Sequence, residues 1–251
     1  MRLAKSGYVW VPLFHIPIPG RYNPIIFFST TYEILTESEV AEEASRISIS
    51  GSVDPLFVEE KIREFLKHLS LELDMEFFLK LRVKASSKSP REYTYVHATN
   101  TILELLGGKL DSDVIEAAWR IDSKIGLSQS VFGLRFADLI GRPYVWRLNE
   151  EYVELEKPLI AEIIDISEVV IKPISDQPFI DHLTHLAGNV IINIFSSLRE
   201  GRDISRFLRL YNALWYVLYD LQPPKSKVSE KSLALIFPDV DKAFSAEVII
   251  K

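Results

Sequence analysis

Two periods of apolar and polar positions alternate along the chain. Arg46-Ile47-Ser48-Ile49-Ser50 switches face at every residue, as a strand with one buried side does. Positions 77–83 do the same: Lys80 and Arg82 are set between Leu79, Leu81 and Val83, and Lys84 follows. Segments 9–14 and 25–35 are apolar runs rich in β-branched and aromatic residues, and they read as strands joined by a Pro- and Gly-rich connection at 17–24. A helical period takes over behind Asp54-Pro55, an N-cap followed by Pro at the first helical position, with Phe57, Ile62, Phe65 and Leu66 on one stripe to about residue 69. A second helix starts at Ser89-Pro90 and runs to Leu106, with Ala98, Ile102, Leu105 and Leu106 as its apolar face. Gly107-Gly108 ends it as a C-cap.

The remainder continues in the same way. Ser112 caps a helix carrying Val114, Ala117, Ala118 and Ile121, and 126–136 reads as a loop of small residues. Segments 144–148 and 152–155 form a hairpin through Asn149-Glu150, and 163–171 is a strand. Two long helices follow at 179–198 and 204–221, and Pro223-Pro224 stops the second. Short strands at 233–237 and 246–250 close the chain. Strands then helices, in two passes, is an α+β plan with a division near 158, giving halves 1–158 and 159–251.

Composition narrows the chemistry. The 251 residues suffice for a large core, and a charged fraction of 25% against 47% hydrophobic is that of a globular protein. A net charge of −6 argues against nucleic acid as a partner. No Cys is present, which removes disulfides, thiolate metal sites and Cys nucleophiles. No run approaches the roughly 18 apolar residues of a membrane span, and the N-terminus lacks an apolar signal core, so a cytoplasmic protein without membrane contact is expected. Gln at only 129, 177 and 222, and Met at only 1 and 75, hint at a thermophile. Glycine is scarce, 10 in the whole chain, so there is little material for a loop that cradles phosphate with backbone N–H groups.

The order of segments resembles the GHMP kinase superfamily, in particular mevalonate diphosphate decarboxylase. Ser130-Val131-Phe132-Gly133 resembles that family's Arg-Ser-Leu-Phe-Gly-Gly segment, and Arg46 to Gly51 resembles its strand ending in Asn-Gly. Residues 203–224, closing on Asp220-Leu221-Gln222-Pro223-Pro224, resemble the helix that ends in Leu-Asp-x-x-Pro-Pro. Phe237-Pro238-Asp239-Val240-Asp241 is similar to the segment bearing the family's catalytic Asp, which Asp239 or Asp241 would supply. The resemblance implies an S5-domain-2-like N-terminal half and a ferredoxin-like C-terminal half. It also implies ATP-dependent decarboxylation of a phosphorylated mevalonate with Mg²⁺, and often a homodimer.

The departures fall on the chemical parts. Where the family has Pro-x-x-x-Gly-Leu-Ala-Ser-Ser-Ala, this chain has Pro90-Arg91-Glu92-Tyr93-Thr94-Tyr95-Val96-His97-Ala98-Thr99. Glu92 opposes an anion there, Gln129 replaces the Arg before Ser130, and the family's N-terminal Lys has no counterpart in 14–20. Phosphoryl transfer works by positioning and charge neutralisation, so joint loss of these groups removes most of that capacity. Candidate residues are Asp239 and Asp241 as base or Mg²⁺ ligand, and Ser128, Ser130 and His97 for substrate. Polar turns and helix caps use the same residue types. His182 and His185 stand one helical turn apart but lack a third ligand, so no metal site is expected. The stripe Leu208, Tyr211, Leu214, Trp215, Leu218 and Tyr219 reads as core.

Two readings follow. The first is a non-catalytic relative with no cofactor, which binds a partner protein, a paralogue, a second copy of itself or a small phosphorylated metabolite. The second is a working Mg-ATP-dependent decarboxylase or kinase with a rearranged site, which predicts an open basic cleft bounded by 90–99 and 126–136. A third, an unrelated α+β interaction protein, holds if the resemblance fails.

Overall fold

The computed structural model describes residues 1–171, 179–222, 232–239 and 242–251. Pro223-Pro224 and Asp241 lie outside them. The described chain forms two compact units, one of Met1–Trp10 with Tyr32–Leu139 and one of Val11–Thr31 with Ile140–Lys251. The strands β1 (Arg2–Phe14) and β2 (Ile25–Ala41) each give residues to both units. Among the described residues no helix is long and apolar enough to cross a membrane.

In the first unit β2 pairs antiparallel with β4 (Phe78–Ala85), which pairs parallel with β3 (Arg46–Ser50). A parallel pair needs a crossover, and α1 (Pro55–Leu73) supplies it. The cap read from sequence is present: the Asp54 side chain accepts from the Phe57 N–H at 3.2 Å. Gly51 has φ +74°, and a Cβ there would run into the Ala85 carbonyl, so only glycine lets this turn lie against β4. Leu79, Leu81 and Val83 face inward and are buried, as are Val58, Ile62 and Phe65 of α1, while Lys80, Arg82 and Lys84 face out.

Helix α2 (Arg91–Gly107) is buried almost all round, polar residues included. Its threonines are satisfied locally: Thr94, Thr99 and Thr101 donate to the carbonyls of Pro90, Tyr95 and His97, four residues back. Gly108, with φ +78°, caps it. Helix α3 (Ser112–Lys124) follows, capped by Asp111 and not Ser112; the Asp111 side chain accepts from the Val114 N–H at 3.1 Å. The segment 126–136, read as a loop, contains helix α4 (Gln129–Arg135), whose Val131 and Leu134 are fully buried. Their spacing is a helical contact, and packing against α2 and α3 holds so short a helix. A one-turn helix, α5 (Ala137–Ile140), ends this region.

In the second unit β2 pairs antiparallel with β5 (Tyr144–Trp146), which turns through Asn149 (φ +65°) into β6 (Val153–Glu154). Thr30 of β2 pairs parallel with Ala161 of β7 (Ala161–Val170), and β7 continues antiparallel to β9 (Lys242–Ile250) and on to β8 (Leu233–Asp239). Helices α6 (Ile180–Glu200) and α7 (Ser205–Tyr219) pack together. The aromatic stripe is core: Tyr211 and Trp215 are fully buried. The Tyr211 hydroxyl accepts from the His15 N–H at 3.2 Å and donates to the Ile236 carbonyl at 2.7 Å. That of Tyr219 donates to the Pro17 carbonyl.

Candidate functional site

The segment 90–99 runs straight into α2, so its backbone N–H groups from Thr94 onward are committed to the helix; that of Thr94 donates to the Pro90 carbonyl at 3.1 Å. Only the N–H groups of the first turn lie outside the helix's own hydrogen-bond ladder. Glu92 stands in that turn and is 1% exposed. Its Oε1 accepts from Ser130 Oγ at 2.7 Å and Ser128 Oγ at 3.0 Å, and the two hydroxyls are 2.5 Å apart. Ser128 precedes α4 and Ser130 lies in its first turn. The structure thus brings Ser128 and Ser130 together, around a carboxylate of the same chain. The segments set as walls of an open cleft are in hydrogen-bond contact here.

His97, one turn further along α2, faces the sheet. Its Nδ1 is 2.9 Å from Thr36 Oγ1 on β2. Burial pushes its pKa down to about 4 against the opposing pull of Asp138, and the Lys5 charge adds a smaller push in the same direction as burial. Lys5 of β1 pairs with Glu104 at 2.5 Å and Asp138 at 3.0 Å, and Tyr93 donates to Asp138 at 3.2 Å. Burial opposes the charge on Lys5, but the carboxylates of Asp138 and Glu104 outweigh it and hold its pKa above the ordinary value.

A second buried cluster was not legible in the sequence. Arg135 and Asp122 are both completely buried. Arg135 Nε and Nη2 donate to the two Asp122 oxygens at 2.6 and 2.8 Å. Tyr95 donates to the same carboxylate at 2.7 Å, and Arg135 Nη1 donates to Asn100 at 2.7 Å. The guanidinium carbon lies 5.3 Å from the centre of the Phe65 ring, so α1, α2, α3 and α4 meet at one ion pair. The signal was an arginine inside the apolar run Val131 to Ala137.

Asp239 is at the end of β8, fully buried and opposite Lys242 in register. His185 lines a groove in the second unit with Arg21, Arg147 and Asp181, where Arg21 holds Asp181 at 2.6 Å. Among the described residues no group of three His, Asp or Glu gathers to hold a metal.

No protein-family model matches the sequence, and no curated protein matches it. Solved structures do. Phosphomevalonate kinase from Streptococcus pneumoniae is 10% identical with a TM-score of 0.59, over 100% of this chain and 92% of that one. Mevalonate pyrophosphate decarboxylase from Streptococcus pyogenes is 9% identical with a TM-score of 0.54, over 100% and 90%. Mevalonate kinase from methicillin-resistant Staphylococcus aureus is 12% identical with a TM-score of 0.52, over 99% and 90%. The fold is that of the GHMP kinase superfamily. At such identities the GHMP likeness fixes the fold, and the chemistry has to be argued from the side chains.

Proposed function

We propose that this GHMP-fold chain is a non-catalytic relative of mevalonate diphosphate decarboxylase that acts by binding a partner protein. The observation that carries the reading is the seating of Glu92. A carboxylate, held by Ser128 and Ser130, lies in the first turn of α2, where a GHMP enzyme needs open donors for phosphate. A phosphate brought to within about 5 Å of that charge meets a repulsion of about 3 kcal/mol per unit charge at an effective dielectric of about 20. With 91–99 wound into helix, no backbone loop offsets it. These residues do not fit a nucleotide triphosphate. The Streptococcus pneumoniae kinase was solved in complex with phosphomevalonate and AMPPNP, and Mg-ATP is the cofactor this chain would use if it kept that chemistry.

The test is titration calorimetry of the full chain with Mg-ATP, alone and with mevalonate or its phosphates. No heat of binding at millimolar ATP is expected. Micromolar binding, or phosphate release that depends on a mevalonate phosphate, sinks the proposal in favour of an active decarboxylase or kinase. Residence in the cytoplasm and a homodimer or paralogue complex belong to the same proposal; sedimentation of the purified protein reads the oligomer directly.

A further inference from the structure

We infer that the open face of the β3-β4-β2 sheet docks an extended, acidic segment of a partner protein. This names the partner class and surface for the binding role above and rests on that reading. The face holds a shallow cavity of about 400 Å³, lined by Arg2, Arg46, Lys80 and Arg82 with Glu37 and Glu39. Four cations against two anions leave it positive, on a chain whose net charge is −6.

The pairing is incomplete in a patterned way. Glu37 serves two arginines, Arg2 at 3.0 Å and Arg82 at 3.7 Å. Arg46 and Lys80, opposite each other in register, form no ion pair among the described residues. The β4 cations recur at every second residue, so they stand about 6.8 Å apart along the strand. That is the spacing of acidic side chains on one face of another extended chain. β3 also ends the sheet, its outer edge unpaired among the described residues. A strand added there would place its side chains about 5 Å from that of Arg46 and satisfy the open backbone groups. Glu37 and Glu39 stand on β2 opposite Arg82 and Lys80 in register, so the uncompensated positive charge lies toward Arg46 and the edge of β3, where an extended peptide can also exchange backbone hydrogen bonds that a phosphate chain cannot. An acidic polypeptide therefore fits better than a nucleic acid.

The probe is a fluorescein-labelled ten-residue peptide alternating Glu and Thr, read by anisotropy against the full chain at low and physiological salt. Controls are the Lys-Thr peptide and a ten-nucleotide oligothymidylate. The Glu-Thr peptide is expected to bind, to weaken with salt, and to lose at least tenfold in affinity in Arg46→Glu and in Lys80→Glu. Lys109→Glu, exposed and outside this face, is expected to leave binding unchanged. Circular dichroism checks that each variant folds. No binding of the peptide, an equal loss in Lys109→Glu, or tighter binding of the oligonucleotide overturns the inference. If Mg-ATP binds while the charge-reversal pattern holds, the non-catalytic reading falls and this surface stands. If neither ATP nor the peptide binds, only the surface falls.

Discussion

Replacing Asp122 by Ala is the sharpest test of how the first unit is held together. The substitution removes a carboxylate that receives three donors, Arg135 Nε, Arg135 Nη2 and Tyr95 Oη, at 2.6, 2.8 and 2.7 Å. It strands a fully buried guanidinium with Asn100 and the Tyr95 hydroxyl, both uncharged, as its remaining polar side-chain partners in the cluster. Burial works against the charge on Arg135, and the Asp122 carboxylate more than offsets it, holding the pKa above the ordinary value. Breaking such a pair from one side costs about 3–5 kcal/mol, a large part of the roughly 5–15 kcal/mol that keeps a domain folded. With a urea dependence of about 3 kcal/mol per M, the unfolding midpoint should fall by more than about 1 M. The companion variant removes the ion pair and the phenol that bonds to it: Asp122→Leu, Arg135→Met and Tyr95→Phe together. It leaves Asn100 to its bond with the Arg135 backbone carbonyl, 3.3 Å away, and should lose only about 1–2 kcal/mol. A cost under about 1 kcal/mol for Asp122→Ala, or a triple variant as unstable as the single one, would refute this account.

Two further predictions concern α2. His97 keeps a folded pKa of about 4 against 6.5 in the unfolded chain, so between those values only the unfolded state takes up the proton. Stability should therefore fall as pH drops through that window, by about 3 kcal/mol from this residue. His97→Asn, which keeps a partner for Thr36, should show that much less acid loss in urea titrations at pH 6.5 and 4; equal loss in both proteins would count against it. Glu92→Gln takes the charged acceptor from Ser128 and Ser130 and should cost about 1–3 kcal/mol without conferring Mg-ATP binding. A gain of phosphate affinity in that variant would mean that the start of α2 is still a working anion seat.

What the sequence determined by itself was local. The Asp54 cap, the Gly108 cap, the alternation over 79–83 and the stripe on α7 depend on residues one to four positions apart, and each is present as read. The α+β plan and the GHMP resemblance followed from the order of such segments, and the fold agrees. The tertiary structure alone decided the rest, because it turns on residues far apart in the chain. Helix α4 forms in a stretch that reads as loop because Val131 and Leu134 find a core, which no local propensity reveals. Glu92 reads as an obstacle to an anion; the fold makes it the acceptor for hydroxyls 36 and 38 residues away. Ser128 and Ser130 read as ligand contacts, and their donors are spent on that carboxylate. Arg135 and Asp122 are ordinary charges in the sequence and a completely buried pair in the fold. Burial and pairing fix what a polar side chain does, and both are properties of the packed chain.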